Sequence, residues 1–107
     1  MEPSTRFDFG GTTRTKVYFI ENVDTGRIKV GLTTSTVYSR LVALQTGSDC
    51  ELRILGVLYS DREHGTTEWQ LHQRFGMHRH RGEWFTREIL PMVRELLHQE
   101  AVRQRLA

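Results

Sequence analysis

Tyr18, Lys29, Arg40 and Glu68 are the residues of this chain best suited to chemistry. A tyrosine, a lysine, an arginine and a carboxylate brought over one small sheet are parts suited to phosphodiester chemistry. A hard cation takes oxygen ligands and offsets charge at a leaving oxygen, which leaves an arginine to stabilise the phosphorane-like oxygens. Each residue alone has a plainer reading. A tyrosine within a strand packs, an edge lysine is solvated, and an arginine at the border of an apolar stripe lays its stem along the surface. Glu68 fits the plain reading least. Glu68, Leu71, His72 and Phe75 recur at i, i+3, i+4 and i+7, which sets a carboxylate on the apolar face of a helix, where it needs Arg40, Lys29 or a metal as partner. If that helix starts only at Thr66, Glu68 is instead a favourable first-turn acid.

The elements that must position these residues can be read from periodicity. Val17 to Ile20 is a continuous apolar run, the pattern of a strand covered on both faces, with Tyr18 pointing away from Val17 and Phe19. Asp24-Thr25-Gly26 signals a turn, and Arg27 to Val30 alternates, so the two runs form a hairpin that can bring Lys29 to the side of Tyr18. Hydroxyls at Thr33 to Thr36 and apolar residues Val37, Leu41 and Leu44 predict a helix from Thr36 to Gln45, ended by Gly47, with Arg40 at its stripe border. Leu52 to Tyr59 reads as a third strand. Ser60-Asp61-Arg62-Glu63 fits a capping box, so a second helix is expected from Asp61 to Phe75, with Thr66 as the alternative start. Ile89, Val93, Leu96 and Leu97 share a face of a last helix beginning at Thr86 or Leu90, its tail frayed after Glu100. The expected fold is mixed α/β (α+β): a three-stranded, mainly antiparallel sheet flanked by three helices. The expected organisation is a flexible leader over 1–15 and one domain over 16–107.

Composition narrows the partners. A chain of 107 residues holds one domain. Its 15 basic and 13 acidic residues leave a net charge of +2, which excludes a histone-like polyelectrolyte, so any nucleic-acid contact must be local. Arg74, His78, Arg79, His80 and Arg81 supply such a cluster, and arginine grips phosphate in two places. Cys50 is the only cysteine, which rules out an intrachain disulfide and points to a reducing, cytoplasmic setting. No apolar run approaches a membrane span, so no membrane partner is expected. The five residues Cys50, His64, His72, His78 and His80 lack zinc-site spacing. Trp84 and Phe85 read as core anchors, with base stacking as their other use.

Taken in order, Val17-Tyr18-Phe19, the short hairpin, Lys29-Val30-Gly31, Arg40, Glu68-Trp69-Gln70-Leu71-His72 and the closing Gly82-Glu83-Trp84-Phe85 resemble the GIY-YIG nuclease superfamily. The likeness is to its short, stand-alone, phage-type branch and runs from Lys16 to about Leu97. The resemblance implies that Tyr18 assists deprotonation of the attacking water and that Lys29 takes the place of the second motif's tyrosine. It implies too that Gly31 keeps the backbone close, that Arg40 holds the scissile phosphate and that Glu68 binds one divalent ion, Mg2+ or Mn2+. Neither tripeptide has its namesake form. The late asparagine of many members has no match, since Asn22 is the only asparagine; Glu83 and His72 are the candidates to stand in.

The function this implies is metal-dependent endonuclease cleavage of DNA, or of RNA. His72, Arg74, Arg79 and Arg81 would be the nucleic-acid contacts, and a homodimer or protein partner would supply specificity. The alternatives are a non-catalytic nucleic-acid-binding module and a regulatory partner of a larger DNA-processing or defence complex.

Overall fold

Strand β1, Lys16–Asn22, is buried without a break from Lys16 to Ile20, as its apolar run requires of a strand flanked on both sides. In the computed structural model, which describes residues 15–59 and 68–106, β1 pairs antiparallel with β2, Ile28–Thr33, on one side and with β3, Leu52–Tyr59, on the other. The hairpin joining β1 to β2 is made by side chain and backbone together. The Asn22 Oδ1 accepts from the N–H groups of Asp24 and Thr25, and Gly26 takes φ 76°, a conformation glycine adopts without strain. The resulting register places Tyr18 opposite Gly31 and Ile20 opposite Lys29.

Helix α1, Val37–Thr46, begins where the hydroxyls predict. Thr36 caps it, its Oγ1 accepting from the N–H of Ser39 at 3.0 Å, and Gly47 closes it. Helix α2 is described over Glu68–Arg74 and α3 over Leu90–Leu106. The leader over 1–14 and the segment 60–67, with the capping box, His64 and both starts weighed for the second helix, lie outside the described residues.

Two expectations are corrected. The sheet has five strands rather than three, all antiparallel, in the order β3-β1-β2-β5-β4. The added strands are β4, Arg79–Arg81, and β5, Trp84–Phe85, joined through Gly82 at φ 56°. Both are too short to show an alternating pattern, and β4 is polar and exposed throughout, so it reads as a loop until β2 offers β5 an edge to pair with. The tail after Glu100 is helical to Leu106. The Glu100 carboxylate accepts from Arg103 Nη2 and Gln104 Nε2, each at 2.6 Å, and so ties the last turns together. α3 starts at Leu90 after a short 3₁₀ turn, Arg87–Ile89, with Pro91 in the first turn, where its missing N–H costs nothing.

Two apolar layers cover the sheet. On one face Val17, Phe19, Ile28, Val30 and Phe85 pack under α2 and α3 through Leu71, Phe75, Ile89, Val93 and Leu96. On the other, Tyr18, Ile20 and Leu52 pack under α1 through Val37, Leu41 and Leu44, with Trp84 at the margin. No described helix is long and apolar enough to cross a membrane.

Candidate active site

Because side chains alternate along a strand, the face carrying Tyr18 and Ile20 on β1 also carries Gly31 and Lys29 on β2. The Tyr18 ring, 1% exposed, lies flat over Gly31. A Cβ at position 31 would stand 2.8 Å from Tyr18 Cε2 and closer still to Cζ and Oη, so only glycine leaves room for the phenol here. Two residues earlier on the same face of β1, Lys16 is fully buried, with its Nζ 3.5 Å from the carbonyl oxygen of Thr34.

Lys29 reaches away from Tyr18 toward β5. Its Nζ donates to Glu83 Oε1 at 2.9 Å and stands 5.9 Å from the centre of the Trp84 ring. Glu68 joins this group from α2. On β2, β5 pairs only with Ile28 and Lys29, and α2 packs against the same strand, with His72 at Val30. His72 fixes the helix there: its Nε2 lies 3.0 Å from the Val30 carbonyl oxygen, which can only accept, so this nitrogen carries the proton. The His72 ring meets Phe85 edge to face at 5.1 Å, and the same Nε2 is 3.9 Å from Glu68 Oε2.

The two carboxyls are crowded, and their acidities separate. Burial first, then the hydrogen bond and charge of Glu83, push Glu68 above the ordinary carboxylate range, against the opposing charges of His72 and Lys29. Burial acts in the same upward sense on Glu83, but the hydrogen bond and charge of Lys29 outweigh it and hold Glu83 low. Of the two, Glu68 is the carboxyl shifted toward holding a proton and Glu83 the one shifted toward the charged form.

Arg40 follows Val37 by three positions on the side of α1 that faces the sheet. Its Nε is buried and, among the described residues, has no hydrogen-bond partner. A buried guanidinium nitrogen without an acceptor is costly, and an anion is its natural complement.

The structure thus brings Lys29 and Glu68 together around Glu83, Lys29 from the sheet face that carries Tyr18 and Glu68 from α2 on the other face, and hangs Arg40 from α1, which covers the Tyr18 face. The basic cluster is dispersed. A bulge at His80 sets Arg79 opposite Phe85 and Arg81 opposite Trp84, so two residues that would share a face on a regular strand are split. Arg79 lies 5.0 Å over the Phe85 ring and donates to the Gly82 carbonyl, Arg81 goes to the Trp84 side, and Arg74 is exposed at the end of α2. His72 is held inside, against Val30 and Phe85. Glu83 is the residue sequence reasoning underrated; its signal was the Gly82-Glu83 turn placed next to a strand end. Lys16 was missed because a lysine at the edge of an apolar run reads as a boundary, although its parity with Tyr18 was visible.

Comparison with known proteins finds no matching family model, no matching curated protein and no matching solved structure.

Proposed function

We propose that this chain is a cytoplasmic, metal-dependent hydrolase of phosphodiester bonds in nucleic acid, with DNA as its first substrate. The observation that carries the reading is the pairing of Glu68 with Glu83 beside Lys29. Two half-buried carboxyls set side by side, one pushed above the ordinary range and one held below it, are a poor structural contact, and a hard divalent cation relieves that crowding. Among the described residues no trio of His, Cys, Asp or Glu side chains converges, so water and phosphate oxygens would have to complete the shell of a single ion. Glu68, with Glu83 beside it, would hold Mg2+ or Mn2+, which when bound supplies positive charge at the leaving oxygen.

The chain's own residues do the remaining work. Arg40 offers its unpartnered Nε to the phosphate and balances the charge that grows on its oxygens. Lys29 holds Glu83 in place and adds a second positive charge. Tyr18, wedged over Gly31 and buried under α1, is held rigidly, and its proposed part is to move a proton from a water admitted to its phenol oxygen with the substrate. The resemblance of the motif order to the GIY-YIG superfamily points the same way.

The test is incubation of the pure protein with plasmid, single-stranded DNA and RNA, with Mg2+, Mn2+ or chelator, beside Glu68→Gln. Cleavage that needs the metal and falls about 10²–10³-fold in Glu68→Gln is expected, the scale of losing one key electrostatic contact. Unchanged cutting by the variant, or no cutting under any of these conditions, would leave a non-catalytic nucleic-acid-binding module instead.

A further inference from the structure

Beside the carboxyl pair the sheet carries a second feature that the proposed chemistry does not use. At the hairpin end of the Tyr18 face, Asn22, Arg27, His80, Arg81 and Trp84 line a cleft of about 240 Å³. This is below the roughly 300–1,000 Å³ of drug-sized sites and equals the share of about eight waters, enough for one nucleotide but not for a folded strand. The lining has two guanidiniums, an imidazole and an indole, and no carboxylate, so it selects a ligand that is anionic at one end and flat at the other.

Its position decides which ligand. Asn22 continues the file Tyr18, Ile20 on β1, and Arg27 continues the file Gly31, Lys29 on β2; the Asn22 N–H donates to the Arg27 carbonyl at 2.8 Å, so the ladder runs on to them. Arg27 is two strand residues from Lys29, about 6–7 Å. Trp84 stands opposite both Lys29 and Arg81 and therefore forms the wall between the cleft and the carboxyl pair. The Asn22 amide oxygen is already spent on the turn. The Trp84 indole supplies a flat face on which a base stacks.

We propose that this cleft holds one unpaired nucleotide of a nucleic-acid strand, its base on Trp84 and its phosphate on Arg27 and Arg81, one step from the phosphate at the Lys29–Glu83–Glu68 group. The inference rests on the phosphodiesterase reading and deepens it by naming the substrate class: DNA with an unpaired or extruded base rather than continuous duplex. Because stacking is tolerant of sequence, the cleft accepts all four bases.

The experiment needs no metal and no cleavage. With Trp69→Phe as background, Trp84 is the sole tryptophan. In chelator, titration with dAMP is expected to change its fluorescence saturably, while deoxyadenosine and inorganic phosphate each bind at least tenfold more weakly. A duplex with a single-base bulge should bind about tenfold tighter than its fully paired counterpart, and Arg27→Ala with Arg81→Ala should erase that preference. Both arginines are exposed, so the double variant keeps its fold, which far-UV circular dichroism checks. No saturable response to dAMP, or a bulge preference that survives the double variant, overturns the proposal. Response to dAMP without a bulge preference assigns the cleft to free nucleotides and overturns it as well. A chain that shows the preference but never cuts supports the cleft while sinking the hydrolase; one that cuts paired duplex and ignores dAMP does the reverse.

Discussion

Glu68 and Glu83 differ in acidity because only Glu83 accepts the Lys29 hydrogen bond, while burial dominates at Glu68. A carboxyl whose folded pKa is raised favours the protonated state. Glu68 therefore adds stability below its unfolded pKa, and that contribution is lost as pH rises through the folded value. Glu83, held low by Lys29, adds stability above its unfolded pKa and loses it as pH falls through the folded value. The proposed hydrolysis needs Glu68 ionised, so the acid limb of its kcat/KM profile is expected above the ordinary glutamate range. Glu83→Gln removes the hydrogen bond and like charge that raise Glu68 and should move that limb to lower pH; a limb that stays put would detach Glu83 from the site. A second residue-scale outcome concerns the Tyr18 ring. Gly31→Ala forces a Cβ into the phenol and should cost about 1–3 kcal/mol in denaturant unfolding, as overpacking does. Tyr18→Ala in the same chain should recover part of that loss. Purely additive effects in the double variant would mean that ring and glycine do not meet.

Helix α1 positions Arg40 only as well as its first turn is held. The Thr36 side chain accepts from Ser39 N–H, and its carbonyl accepts from Arg40 N–H at 3.4 Å, so the cap and Arg40 share one turn. Thr36→Ala should lower stability by about 1 kcal/mol. It should also reduce kcat more than it raises KM, because a misplaced guanidinium costs transition-state contact. Thr36→Ser should restore both; a serine variant as impaired as the alanine would place the effect elsewhere. The opposite layer depends on another close approach. At Gly56 a Cβ would stand 2.6 Å from Leu97 Cδ2, so α3 lies on β3 where the strand has no side chain.

For the whole molecule, a net charge of +2 means that the proposed affinity for nucleic acid must come from where the charges sit rather than from how many there are. Arg27 and Arg81 share the cleft, whereas Arg79 is folded back over Phe85 and bonded to Gly82. Removing Arg27 or Arg81 is expected to reduce the slope of log affinity against log salt by about one each. Arg79→Ala should leave the slope unchanged and lower the melting temperature instead. Equal slope changes for all three in filter binding would show one continuous basic patch and contradict the split at the β4 bulge.

The sequence alone determined the parts that depend on local periodicity: the buried strand around Tyr18, the Asp24-Thr25-Gly26 hairpin, the Thr36-capped helix, and a carboxylate on the apolar face of α2. These follow from spacing and capping, which act over a few residues. Tertiary structure alone decided the rest. Strands β4 and β5 exist because β2 has an edge to pair with, and strands of three and two residues are too short to show an alternation that would announce it. The meeting of Glu83 with Lys29 joins residues 54 positions apart, and the crowding of Glu68 against Glu83 is a contact across two elements. A single bulge at His80 separates arginines that look like one cluster in the chain, because one extra residue reverses which face of a strand a side chain meets.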